Sequence, residues 1–164
     1  MTSDSLSMPS PGLVLDGYKI LAELGSGSSG IVYQAENLIS RQIVALKILS
    51  AKTDLAQREL AALRLFQTIE HPNLIRIHHI GQTGDQVFYT MDRCECSLAQ
   101  RKVSSEELVD IAKKLAGALA ELHKHGLIHR DIKPPNIFIN NKDIFVKMFL
   151  NITSYAVIDL CVRS

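Results

Sequence analysis

Residues 129–136 read His-Arg-Asp-Ile-Lys-Pro-Pro-Asn, and no other stretch constrains the chain as strongly. The run follows a long segment with an apolar helical face and precedes the β-branched stretch Ile137-Phe138-Ile139. It therefore reads as a loop held between a core helix and a strand. An ordinary turn has no need of His129, Arg130, Asp131, Lys133 and Asn136 together. Chemistry accounts for the crowding: Asp131 can accept a proton from a hydroxyl, Lys133 can neutralise a transferring phosphoryl group, and the Asn136 carbonyl oxygen suits a hard cation such as Mg²⁺.

Upstream, the chain alternates strand material with turn residues. Tyr18-Lys19-Ile20-Leu21 leads into the cluster Gly25-Ser26-Gly27-Ser28-Ser29-Gly30, and Ile31-Val32-Tyr33 follows at once, which predicts a glycine-rich hairpin. A third strand is predicted at Ile43-Val44-Ala45-Leu46-Lys47-Ile48-Leu49, and a helix over 54–69, where apolar residues at 55, 56, 60, 63 and 66 recur at helical spacing. His71-Pro72-Asn73 stops that helix, because proline lacks the N–H a helix needs. Leu74-Ile75-Arg76-Ile77 and Val87-Phe88-Tyr89-Thr90-Met91, separated by a turn at Thr83-Gly84-Asp85, bring the predicted strands to five.

Ser104 with Glu107 three residues on is a capping-box signature. Behind it, Leu108, Ile111, Ala112, Leu115, Leu119 and Leu122 line one face of a long helix that Gly126 is placed to end.

The glycines fit G-x-G-x-x-G-x-V through Gly25, Gly27, Gly30 and Val32. Glycine is required where backbone closes on a phosphate or takes a positive φ. A dinucleotide-binding fold uses a similar string but opens a helix with it, whereas the residues after Gly30 read as strand. A plain flexible hairpin stays open as an alternative. Lys47 sits in an apolar strand, either as a buried ammonium that needs an anionic partner or as an edge lysine that reaches solvent. Glu59, twelve residues on, is a candidate counter-charge or a solvated helix residue.

Charge and cysteine usage narrow the partners. Eighteen basic against seventeen acidic residues leave a net charge of +1, so no global field points to nucleic acid or to an anionic membrane, and neither is expected as a partner. Three cysteines are too few for a disulfide framework, and the Cys94-x-Cys96 pair has no second pair at zinc spacing. Residues 1–16 are expected to be a flexible leader without the pattern of a signal peptide, and the location expected is cytoplasmic. The apolar stretch 144–162 is broken by Lys147, Asn151, Thr153, Ser154 and Asp159, which argues against a membrane span. The Asn151-Ile152-Thr153 glycosylation triplet carries no weight alone.

Taken in order, the glycine loop, Val44-Ala45-Leu46-Lys47, Glu59 and the run from His129 to Asn136 resemble a eukaryotic-type serine/threonine protein kinase. The resemblance implies an α+β fold: a five-stranded antiparallel N-lobe sheet with its αC helix, then the first part of a helical C-lobe. It places a partial kinase domain at 17–146, with the N-lobe about 17–95 and the C-lobe part at 96–146, and leaves 147–164 as a divergent apolar tail. It implies ATP and Mg²⁺ as cofactors and a protein as phosphoryl acceptor. Gly25, Gly27 and Gly30 would cover the phosphates, Lys47 would contact them and pair with Glu59, and Val32 and Ala45 would sandwich adenine. Met91 would stand at the gate of the pocket, with Asp92, Arg93 and Cys94 as hinge. Asp131 would be the catalytic base, supported by Lys133, while His129 would brace the loop by packing.

One part of the pattern is missing. The family's metal-binding aspartate in D-F-G falls by spacing near Phe149-Leu150-Asn151, which has no carboxylate, and the later Asp159 stands 28 residues beyond Asp131. Either an insertion precedes a degenerate metal strand at Val157-Ile158-Asp159, with Asn136 and Asp159 as metal ligands, or the chain leaves the family pattern after about residue 146. The second is the expectation adopted, and it implies weak or absent transfer in a truncated domain. A nucleotide-binding module without catalysis and a truncated product without function are the alternatives.

Overall fold

The computed structural model describes residues 9–27, 30–49, 54–84, 86–129, 132–139 and 146–148, the stretches 54–59 and 146–148 by their backbone alone. Two compact units divide the chain: Met1–Lys52 with His79–Arg93, and Thr53–His78 with Cys94–Ser164.

The first unit is built on a sheet of β1 (Val14–Leu15), β2 (Tyr18–Gly27), β3 (Gly30–Asn37), β4 (Ile43–Leu49), β5 (Ile77–Thr83) and β6 (Gln86–Asp92), in the order β1-β2-β3-β4-β6-β5. The pairs β1–β2, β2–β3, β3–β4 and β4–β6 are antiparallel. Four of the five strands expected from the sequence are present where they were placed; the one expected at Leu74–Ile77 begins only at Ile77 and runs on to Thr83, and β1 adds a sixth strand within the segment read as leader. Tertiary pairing explains it: the Gly12 N–H donates to the Ile20 carbonyl at 2.8 Å and the Ile20 N–H to the Leu13 carbonyl at 2.8 Å, which lays the segment along β2. Leu15 is buried as a result.

Strand alternation sends Tyr33, Ala35, Val44, Leu46, Ile48 and Phe88 to one face, where they form a core with Leu15, Tyr18 and Ile20. Tyr18, His79 and Phe88 pack their rings there at centroid separations of 5.9 to 6.4 Å. Two turns set the register. The Asn37 side-chain oxygen accepts from the Ile39 and Ser40 N–H groups, both at 2.9 Å, closing the β3–β4 turn. In the β5–β6 turn the Gln82 amide donates to the Gly84 carbonyl at 2.9 Å.

In the second unit α1 (Asp54–Gln67) buries Leu63 and Phe66 and ends before Pro72. The second helix, α2 (Ser105–Lys124), begins with the expected capping box: the Glu107 N–H donates to Ser104 Oγ at 3.1 Å and the Ser104 N–H to Glu107 Oε2 at 2.8 Å. Its end is a Schellman motif. The Leu127 N–H donates to the Leu122 carbonyl and the Gly126 N–H to that of His123, both at 3.0 Å, with Gly126 at φ +73°.

The buried stripe of α2 is Ile111, Ala118 and Leu122, narrower than the face predicted. Leu115 and Leu119 are half-buried, while Ala112 and Leu108 are exposed. Ile111 packs against Ile137 and Ile139 of a small sheet, so the stripe is set by where that sheet sits rather than by helical period alone. The small sheet runs β7 (Cys96–Ser97), β8 (Ile137–Ile139), β9 (Val146–Met148). Among the described residues no helix is long and apolar enough to cross a membrane.

Candidate functional site

The register of the first sheet decides which candidate residues meet. Gly25 lies opposite Val32, Val32 opposite Lys47, Lys47 opposite Tyr89, and Ala45 opposite Met91. Side chains directly opposite share a face, as do residues two apart, so Val32, Ala45, Lys47, Tyr89 and Met91 all project to the side away from the aromatic core. On this face the Lys47 ammonium lies among the aliphatic Val32, Ala45 and Met91 and the ring of Tyr89. Lys47 stands on β4, between β3 and β6, and is only 5% exposed, so the edge-lysine alternative is excluded. Its ammonium lies 5.8 Å from the centroid of the Tyr89 ring.

Gly30 begins β3 at φ +136°, and a Cβ there would run into the Ile48 carbonyl oxygen. Gly25 has no such neighbour: nothing lies within 4 Å of where its Cβ would be. Gly27 ends β2. The glycines therefore serve different purposes, Gly30 close strand packing and Gly25 an open backbone edge.

The remaining candidates are not on this face. Asp92 lies opposite Val44, so alternation turns it toward the other side of the sheet. Cys94 belongs to the second unit, where burial first and the neighbouring Cys96 second push its thiol up to about 11. Cys96 Sγ donates to the Ile139 carbonyl at 3.3 Å. Glu59 lies on α1 with its side chain outside the described residues, and Asp131 and Asp159 lie outside them altogether. In the same unit His129 is buried, Lys133 is exposed and Asn136 half-buried. A single 3-10 turn, Pro134–Asn136, links the last two, closed by the Asn136 N–H donating to the Lys133 carbonyl at 2.9 Å. Pro134 favours that turn because its fixed φ suits a first helical position.

Sequence reasoning passed over Tyr89, although period two counted back from Met91 would have found it.

Residues 18–152 match the family model of the protein kinase domain. Curated relatives include the serine/threonine-protein kinase pkn2 of Myxococcus xanthus, 36% identical over 138 residues, which cover 78% of this chain and 17% of that protein. Another is the serine/threonine-protein kinase cds1 of Schizosaccharomyces pombe, 30% identical over 141 residues, covering 76% of this chain and 30% of that protein. The chain thus spans a third or less of these relatives. Among solved structures, the Mycobacterium tuberculosis PknI kinase domain superposes with a TM-score of 0.77 at 24% identity, covering 90% of this chain and 64% of that one, a likeness of fold.

Proposed function

The chain belongs to the protein kinase family, and from that premise we propose that it binds ATP on the aliphatic sheet face and serves phosphoryl transfer to serine or threonine hydroxyls of a protein. The carrying observation is the register that gathers Val32, Ala45, Lys47 and Met91 on one face. A purine ring fits between flat aliphatic side chains, and the Lys47 ammonium, with Glu59 as acidic partner, meets the phosphates. Gly25, Gly27 and Gly30 let the β2–β3 backbone come close to the phosphates, and Asp92 and Cys94 supply hinge backbone to adenine. Asp131 orients the acceptor hydroxyl, and Lys133 offsets charge on the transferring group.

The family uses Mg²⁺, which shields the phosphate charges when bound. Among the described residues no group of three or more His, Cys, Asp or Glu could hold a metal ion, and Asn136 offers one neutral oxygen. The described residues alone do not fit Mg²⁺, which takes carboxylate and water oxygens in an octahedron. The lack of a carboxylate at Phe149-Leu150-Asn151 favours a second reading: nucleotide binding with little transfer. Cys94 and Cys96, both free thiols, are consistent with a reducing, cytoplasmic setting.

The test is ATP binding by calorimetry with and without Mg²⁺, then transfer of labelled phosphate to a generic acceptor. Binding weakened but still measurable in Lys47→Met and transfer lost in Asp131→Asn support the kinase reading. Binding without any transfer supports the second, and no binding at all would refute both.

A further inference from the structure

Burying an ammonium is costly unless something nearby carries negative potential, and Lys47 is nearly fully buried. Beside an acidic partner such as Glu59, a fixed group on the sheet face itself can add to that potential. Val32, Ala45 and Met91 on the face are aliphatic, and Tyr89 differs. It stands directly across the strand pair from Lys47, is 0% exposed, and has its ring centroid 5.8 Å from the Lys47 ammonium, within cation–π range. Full burial also fixes the ring, so the potential it offers is held in place before any ligand arrives.

We propose that Tyr89 is a positioning residue that holds the Lys47 ammonium on the nucleotide face through its aromatic ring. The role rests on the ATP-binding reading, and it goes beyond it by naming a group that acts on the nucleotide through Lys47. The ring, rather than the hydroxyl, is the working part. Phenylalanine therefore preserves the effect, and a side chain of similar bulk without a π-face does not.

Two measurements test this on the full chain. The first needs no nucleotide: in protein labelled with ¹³Cε-lysine, and assigned with Lys47→Arg, the ring current of Tyr89 shifts the Lys47 ε resonance upfield. That shift persists in Tyr89→Phe and disappears in Tyr89→Leu or, should that variant not fold, in Tyr89→Met. The second is ATP affinity by calorimetry. Tyr89→Leu or Tyr89→Met weakens it roughly tenfold, Tyr89→Phe leaves it within about twofold, and in a Lys47→Met background the same change has no further effect. An unshifted Lys47 resonance, or an equal loss of affinity in the Lys47→Met background, overturns the proposal. An unsubstituted protein that binds no ATP overturns the nucleotide reading beneath it, and the ε resonance then still decides whether Tyr89 holds Lys47.

Discussion

Gly25 and Gly30 look alike in the sequence, yet substituting each with alanine should move stability in opposite directions. At Gly30 two costs add. A φ of +136° is a conformation that residues with a Cβ rarely adopt, costing roughly 1–3 kcal/mol. The new methyl would also overlap the Ile48 carbonyl oxygen, with the Leu49 Cα at 3.3 Å behind it. Backbone cannot rotate aside as a side chain can, so β3 and β4 must separate, at about 1–3 kcal/mol for an overpacked contact. Together, Gly30→Ala should lose about 2–6 kcal/mol, a large share of the roughly 5–15 kcal/mol by which domains are stable. At Gly25, φ is ordinary and the space is open, so alanine only stiffens the unfolded chain and should gain about 0.4–1 kcal/mol. Urea unfolding followed by far-ultraviolet circular dichroism measures both. ATP calorimetry then separates folding from binding: Gly25→Ala should stay folded while its affinity falls, because the methyl stands where a phosphate would approach the backbone. A Gly30→Ala variant within about 0.5 kcal/mol of the unsubstituted protein, or a Gly25→Ala variant destabilised by more than about 1 kcal/mol, would refute the reasoning.

Four further outcomes are expected. Ser104→Ala removes the side-chain acceptor of the Glu107 N–H and should cost about 1 kcal/mol in urea unfolding, with loss of helix signal. The Ser104 N–H first, and Arg101 second, hold the Glu107 carboxyl below its ordinary value, so its contribution is complete above the unfolded carboxylate pKa of about 4.3. It should fade as the pH falls through the lowered folded value, and Glu107→Gln should flatten that part of a melting-temperature profile. The Thr90 hydroxyl is buried with no hydrogen-bond partner among the described residues, so Thr90→Val should stabilise the protein by about 1 kcal/mol in the same unfolding assay. With its thiol at about 11, Cys94 should be alkylated at pH 8 at about a thousandth of its limiting rate and gain about tenfold per pH unit, as read by peptide mass spectrometry.

What was legible in the sequence depended on how local its cause is. The capping box at Ser104 and Glu107 and the stop at Gly126 involve hydrogen bonds that close within a few residues, and both stand where the pattern put them. Strand β1 had no such local signature. Val14 and Leu15 become a strand because Ile20, beyond an intervening turn, accepts from Gly12 and donates to Leu13, which sets Val14 opposite Lys19 and Leu15 opposite Tyr18. The α2 face shows an intermediate case: helical period correctly selected Ile111 and Leu122, but it could not tell Leu108 from Ala118. Ile111 itself is buried against Ile137 and Ile139, contributed by a separate element.

Lys47 shows the same limit within the candidate site. From sequence it was equally an edge lysine or a buried one, because no local signal says which strand lies beside β4. The next strand along the chain is β5, yet β6 takes the place next to β4 and pushes β5 to the sheet's edge. That crossover makes β4 an interior strand, buries Lys47, and sets it opposite Tyr89. Had β5 paired there instead, Lys47 would face a residue from Ile77–Thr83, and neither Met91 nor Tyr89 would share its row. The aliphatic face could thus be anticipated from residue types at period two. Its cation, and the ring beside it, depend on a strand order that only long-range packing decides.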